Sequence, residues 1–435
     1  ARIDMASSFQ SEQAVILASG NDGDNLYPLT ECLPPALLPV ANRPLLSFQL
    51  ELLERARGFR QVLVLTFERW LAPLSTFVSE HYKGAMTVEL LVVPDDCGSA
   101  EALRHIRRKL TSDFVLLAGD TISDVAFQRV ADLHRMHGAA VTCLLKEMPP
   151  REPGVAKRAK DLDGIDFIGL DEKMQRLLYL EAAADCDKGV VGISTSMLRA
   201  HPHLKVHTNL VDAHVYVFSK WVLDVLDEKP HLVSAKFELL PYLVRKQFLA
   251  QKRAQPDSVP ASPDGVLTDA APAKAERSYR CNCYVMAADA GYCVRASSLA
   301  AYIQANQDVA KGGVTVFEKA TESTEAVKED NYALRSFSQD SARGHSIFVG
   351  ARSSIKKSCV GDHCVIGANV RITNCILMDH VTVANKVNLT NTVVCANAEI
   401  CESASLKDAQ VGAKVTVEAG AIIKGEALTG DDVDD

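Results

Sequence analysis

Three short stretches carry residue types that could handle phosphate or a metal. Ser19-Gly20-Asn21-Asp22-Gly23-Asp24 is a glycine-bearing polar turn placed directly after an apolar run at 14–18. That run is too short for a helix and reads as a strand. A turn at the carboxyl end of a strand in an open α/β sheet can aim backbone N–H groups at a phosphate, although the same residues also make a plain tight connection. Asp120 closes a second apolar run in Leu117-Ala118-Gly119-Asp120, and a carboxylate at a strand end suits a hard divalent cation. One carboxylate does not make a metal site. Gly98-Ser99-Ala100 opens a helix, where an N-cap by Ser99 is physically sufficient on its own.

The elements that must position these residues alternate along the chain. Strands are expected at 61–67, 86–93 and 114–118, with helices at 45–53, 71–82 and 100–110 and a helix stop at Gly58. Such alternation predicts a mostly parallel sheet covered by helices on both faces, a Rossmann-like α/β domain. Residues 167–171 and 176–180 read as a hairpin, 207–218 as an extended run followed by a helix from Trp221, 280–286 as a strand and 296–306 as a helix.

The remaining composition is restrictive. With 435 residues, 47% of them hydrophobic and 23% charged, the chain is long enough for two or three domains and is neither fibrous nor wholly disordered. A net charge of -8 argues against nucleic-acid binding through bulk charge, and no apolar run of 18 or more residues predicts a membrane span. The polar start lacks a signal-peptide layout. Among twelve cysteines Cys281 and Cys283 lie closest together, with Cys293 following, without a CxxC partner or paired histidine, so buried thiols are expected rather than a metal site.

The frame from 14 to 45, L-A-x-G…G…L-x-P-L-T…P-x-x-L-L-P-V…P-L, is similar to the signature of the nucleotide-sugar pyrophosphorylases. In that family the resemblance implies a triphosphate on the Gly20/Gly23 turn, an arginine after the last glycine and a lysine between the two prolines. Here Asn25 fills the arginine slot and Pro35 the lysine slot, and Asp22 and Asp24 enter a turn one residue longer than the pattern. The resemblance also implies a nucleotide-receiving role for Gly98, magnesium ligation by Asp120 and a second metal aspartate near Asp212. Phosphoryl transfer depends on positioning and charge stabilisation, and losing one such group costs roughly 3–4 kcal/mol in the transition state. The expectation is a degenerate nucleotide-like pocket of Gly20, Gly23, Asn25, Pro35, Gly98, Asp120 and Asp212, with no catalytic residue, no metal and no cofactor.

Further phrases sharpen the resemblance: HTNLVDAHVYVF at 207–218, FELLPYLVRKQF at 237–248, RCNCYVM at 280–286 and YCVRASSLAAYIQAN at 292–306. They resemble the gamma-subunit family of eukaryotic translation initiation factor two B, the guanine nucleotide exchange factor for initiation factor two. That family implies a scaffold role beside an epsilon subunit whose extra helical domain carries out exchange. It also implies assembly with alpha, beta and delta subunits, initiation factor two as substrate, and a cytosolic setting. A sugar-nucleotide pyrophosphorylase, or the regulatory subunit of one, is the alternative.

The last part of the chain is different. Apolar residues recur every six positions in several registers (Ile366, Ile372, Met378; Val381, Val387, Val393; Val411, Val417, Ile423), which reads as a left-handed parallel β-helix of about four 18-residue coils, with Gly350, Gly361, Gly367 and Gly412 near the corners. Some such helices are acyltransferases using a histidine between subunits; His345, His363 and His380 are available, but lone histidines on coil corners are more often solvent-facing. An open end with unpaired strand edges is a surface that a partner commonly covers. The expected division is a flexible start at 1–12, the α/β domain at 13–306 with a disordered insertion at about 251–278, a linker at 307–344, the β-helix at 345–426 and an acidic tail at 427–435. A basic loop at 148–164 carries Arg151, Lys157, Arg158 and Lys160 and suits either solvent or a partner.

Overall fold

The structure is a computed structural model, and it describes residues 12–19, 26–148, 165–183, 191–254, 279–312, 336–338 and 340–430. Gly20, Gly23 and Asn25, with Asp22 and Asp24, lie outside the described residues. So do most of the flexible start, the basic loop, residues 255–278 of the insertion, most of the linker and the last five residues of the acidic tail.

Seven strands make the central sheet: β1 (Glu12–Leu17), β2 (Phe59–Thr66), β3 (Thr87–Val92), β4 (Phe114–Ala118), β5 (Val141–Glu147), β6 (Leu210–Phe218) and β7 (Cys281–Met286). Their spatial order is β7-β5-β6-β4-β1-β2-β3, and every neighbour pair is parallel except those made by β6, which runs against both β4 and β5. Strand β1 lies between β2 and β4, with Ile16 opposite Val64 on one side and Leu117 on the other. Consecutive residues Ala14, Val15 and Ile16, which point to opposite faces of the sheet, are all fully buried, so its apolar residues read as a continuous run rather than an alternation.

The described α-helices are α1 (Leu45–Ala56), α2 (Glu68–Glu80), α3 (Ser99–Ile106), α4 (Phe127–His137), α5 (Thr195–Ala200), α6 (Val222–Glu228), α7 (Leu240–Ala254) and α8 (Leu299–Ala310). The stop of α1 is one residue earlier than Gly58. Arg57 takes the left-handed cap at φ 51° and donates its N–H to Glu54 O. Helix α7 continues through Ala254, so 251–254 belong to it rather than to the insertion, and α8 runs four residues into the expected linker.

The β-helix consists of three parallel sheets of six, five and five short strands, beginning at Ala342–Arg343 and ending at Ala427–Leu428. Its coil is 17 residues long, not 18: Asn374, Asn391 and Asp408 stack side chain on side chain at that separation. One of the three sides has five residues, so Ile366 and Ile372 are followed inward by Leu377, while Met378 is buried on the outside against α8. The six-residue rule holds only for two sides of each coil. Gly361 and Gly367 lie beside the corners, as expected. The turns at positive φ are made by His363, Asn369, His380, Asn397 and similar residues, whereas Gly361 and Gly367 lie where successive coils approach most closely.

The two architectures meet along α8. Tyr302, Ile303, Ala305 and Val309 pack with Cys359, Ile376, Val393 and Cys395 of the β-helix and with Leu38, Val40 and Phe48 of the α/β domain. Asn42 Nδ2–H donates to Val360 O at 2.8 Å, and Tyr302 O–H donates to Pro39 O at 2.5 Å. The proline-rich segment that resembles the pyrophosphorylase signature is thus tied to the β-helix.

Candidate functional site

A cavity of about 870 Å³ opens at the carboxyl ends of β1 and β4, lined among others by Ala18, Pro35, Gly98, Asp120, His214, Lys236 and Arg295. Gly119 turns the chain into it. A Cβ at Gly119 would collide with the carbonyl oxygen of Leu17, whose O accepts the Gly119 N–H at 2.9 Å, so only glycine lets β4 return beside β1.

Asp120 points into the cavity and is held there by Arg295. The guanidinium donates through Nε to Oδ1 at 3.1 Å and through Nη2 to Oδ2 at 2.7 Å, and through Nη1 to His214 Nε2 at 2.8 Å. Arg295 ends a three-residue strand, Cys293–Arg295, that pairs antiparallel with Thr121–Ser123 immediately after Asp120. His214 reaches the arginine because β6 is irregular there: the register shifts between Asp212 and Tyr216, and His214 itself sits at φ 52°. Burial, then the Arg295 and Lys236 charges, holds its imidazole well below the ordinary histidine range, so Nε2 is a neutral acceptor.

Asp212 lies beneath the cavity wall, buried, with Oδ1 accepting the His214 backbone N–H at 2.8 Å and Oδ2 accepting the Tyr216 hydroxyl at 2.6 Å. Burial raises its carboxyl pKa above the ordinary value. All four carboxylate oxygens of Asp120 and Asp212 therefore accept hydrogen bonds from the protein, and a guanidinium lies where a cation on Asp120 would bind. This donor set does not fit a divalent cation.

Pro35 begins a short 3₁₀ turn, Pro35–Leu37, at the cavity wall and brings no amine to it. Gly98 is the N-cap of α3, and the helix has no side-chain cap. Ser99 does not cap, which removes one of the two sequence readings; its Oγ accepts the Ala235 N–H at 2.8 Å, while Ala100 N–H donates to Val233 O at 2.8 Å. The α3 start is thereby fastened to the 233–235 segment. Lys236 is ion-paired with buried Asp166 at 3.0 Å. Of the expected pocket residues the structure brings together Pro35, Gly98 and Asp120, with Asp212 just below.

Sequence reasoning missed Arg295, His214 and Lys236. It also passed over Cys97, just before the N-cap of α3, with Glu101 and His105 on that helix, whose ligating atoms lie within 4.8 Å of one another. Burial pushes the Cys97 thiol up to about 11, so it is protonated at neutral pH.

A nucleotidyl-transferase fold joined to a hexapeptide β-helix defines the class: residues 13–257 match the nucleotidyl transferase family and residues 341–433 the GlmU-like C-terminal hexapeptide family. Within that class the chain is 32% identical over 386 residues to the translation initiation factor eIF2B subunit gamma of Dictyostelium discoideum, covering 80% of this chain and 87% of the relative. It is 31% identical to the eIF2B subunit gamma of Schizosaccharomyces pombe, over 69% of this chain and 65% of the relative. It is also 25% identical to the eIF2B subunit epsilon of the same yeast, over 80% of this chain and 45% of that protein. The chain belongs to the family of translation initiation factor eIF2B gamma subunits. Among the described residues no helix is long and apolar enough to cross a membrane.

Proposed function

We propose that this chain is a non-catalytic scaffold subunit of the guanine nucleotide exchange factor for translation initiation factor two, acting in the cytosol. It pairs with an epsilon subunit that promotes GDP release and GTP loading, within an assembly that includes alpha, beta and delta subunits. The observation that supports the non-catalytic reading is the Asp120–Arg295–His214 cluster, in which an arginine takes up the carboxylate that a metal-dependent transferase would need. Pro35 at the cavity wall adds to it, since phosphoryl transfer is driven by cations held against the phosphates. The apolar seam along α8 supports a scaffold role, because it makes the α/β domain and the β-helix one platform on which a partner can lie.

The test is GDP release from purified initiation factor two, comparing this chain alone, epsilon alone and the co-purified pair. The expected result is an inert chain that binds epsilon and raises its exchange rate. Failure both to bind and to stimulate would end this reading. Formation of pyrophosphate from a nucleoside triphosphate and a sugar 1-phosphate by the isolated chain would favour the pyrophosphorylase alternative instead.

A further inference from the structure

A second cavity, of about 350 Å³, lies at the opposite end of the central sheet from Asp120. Its walls come from the end of α4, the turn of the hairpin made by Asp166–Leu170 and Leu177–Ala182, the segment after α5, and the residue that precedes β7. Six of the side chains lining it are basic or imidazole: Lys173, Arg176, Arg280, His137, His201 and His203. Two lining side chains are acidic. Asp171 is committed to its own turn, its Oδ1 accepting the backbone N–H groups of Gln175 at 2.8 Å and Arg176 at 2.9 Å, and Glu172 is exposed.

The two arginines are the centre of this site. Each is half-buried, and each is oriented by one neutral amide: Arg176 Nε–H donates to Gln247 Oε1 at 3.2 Å and Arg280 Nε–H donates to Asn282 Oδ1 at 3.1 Å. Gln247 is itself fixed, donating to Leu177 O at 2.7 Å, and Asn282 is fully buried on β7. Neither guanidinium forms a salt bridge with a carboxylate among the described residues. Burial and the neighbouring Arg280 charge both act against the protonated form of Arg176. Two like charges held side by side in a cleft, with their Nε edges already satisfied, present their outer N–H groups to whatever fills it. His137 is oriented too, its Nδ1–H donating to Leu133 O at 3.1 Å, and His201 lies edge-on to Phe248 with ring centroids 6.0 Å apart.

We propose that this second cavity binds a small phosphate monoester, with Arg176 and Arg280 gripping the phosphate oxygens and His201 completing the donor set. The forked geometry of two guanidiniums matches tetrahedral oxyanions, and a dianion offsets the repulsion that Arg176 and Arg280 otherwise carry. The cavity is of a size for one small organic phosphate rather than a polymer.

Isothermal titration of the full chain with inorganic phosphate, glycerol 3-phosphate and glycerol, at physiological ionic strength, tests the proposal. Saturable binding is expected for the two phosphates and none for glycerol. Arg280→Gln should weaken glycerol 3-phosphate binding by about tenfold or more, the loss of one charge-assisted contact, and Lys414→Gln on the β-helix should leave it unchanged. The His201 ring proton resonances of the unaltered chain should shift on adding phosphate, a readout that does not depend on a variant folding. Absence of saturable heat, equal heats for glycerol and its phosphate, wild-type affinity in Arg280→Gln, or unmoved His201 resonances would each overturn the site.

Discussion

Arg295 closes a forked ion pair on Asp120 across 175 positions of sequence, and its third nitrogen donates to the neutral ring of His214. The pair is little exposed, with 18% of the arginine side chain and 15% of the aspartate side chain reaching solvent. Its position at the carboxyl edge of the sheet, in the 870 Å³ cavity, makes an internal cation the local counter-charge of that carboxylate.

Removing that cation should be costly without creating an enzyme. Arg295→Ala strips Asp120 of its forked ion-pair partner at a largely buried position and should lower stability by about 2–4 kcal/mol. Arg295→Lys should recover only part of this, because an ammonium cannot fork across both oxygens. Urea denaturation of the three proteins measures the loss. None should form pyrophosphate from a nucleoside triphosphate and a sugar 1-phosphate, since Pro35 still brings no amine to the cavity wall.

His134 makes stability depend on pH. It is buried on α4, with Nδ1 3.0 Å from the Thr142 hydroxyl and Nε2 3.3 Å from Ser219 Oγ. Ser219 donates its own proton to Ala139 O at 2.7 Å, so its oxygen accepts from Nε2–H, and Nδ1 accepts from Thr142. This neutral tautomer uses both nitrogens, and burial lowers the pKa from 6.5 to about 4. The unfolded chain then binds more protons than the folded one between those values. Stability is present above the unfolded pKa and is lost as pH falls through the folded one. Between pH 7 and pH 5 the loss from this group should be about 2 kcal/mol. The check is urea denaturation at both pH values, in which His134→Gln should lose less on acidification than the parent chain.

Much of the fold was legible because its signals are local. Apolar runs such as 114–118 coincide with a strand of the same bounds, and the hexapeptide pattern announces a β-helix over its whole length. The site was less legible. Asp120 stands at a strand end and could be found, but Arg295 belongs to a three-residue strand in Tyr292-Cys293-Val294-Arg295, where nothing in the local pattern points to a partner so distant. The 17-residue coil was obscured for a similar reason. Met378 is apolar at the expected sixth position, yet it faces α8, while its neighbour Leu377 faces the coil interior. Hydrophobicity reports burial and not the surface that does the burying.

The close approach of the coils gives a sharp test of packing. A Cβ on Gly361 would sit 2.7 Å from the Met378 carbonyl carbon in the next coil, and Asp362 N–H already donates to Asp379 Oδ1 there at 2.8 Å. Backbone atoms cannot move aside as a flexible side chain would. Gly361→Ala should therefore destabilise the β-helix by about 1–3 kcal/mol. Gly420→Asn, at a corner where φ is +73° and a Cβ meets nothing within 4 Å among the described residues, should be close to neutral. Paired thermal melts of the two variants distinguish crowding between coils from a general intolerance of side chains at β-helix glycines.

The seam between the two architectures contains a strained turn. Pro39–Val40 and Arg43–Pro44 pair antiparallel around Ala41 and Asn42, both in the left-handed region at φ 48° and 64°, the turn type whose twist suits a two-residue hairpin. Asparagine tolerates that conformation, whereas alanine there costs roughly 1–2 kcal/mol. Asn306 on α8 compensates: its Oδ1 accepts the Ala41 N–H at 2.9 Å and its Nδ2–H donates to Tyr302 O at 3.0 Å, all buried. Ala41→Gly should stabilise the chain, by about 0.5–1 kcal/mol once the added freedom of the unfolded glycine is counted. Asn306→Ala should cost about 1–3 kcal/mol by stranding the Ala41 N–H. Denaturant titration of both variants decides the matter. If Ala41→Gly gains nothing, the turn is relaxed as it stands, and Asn306 holds α8 rather than the hairpin; a gain with the predicted loss makes Asn306 the clamp on a strained joint between the α/β domain and the β-helix.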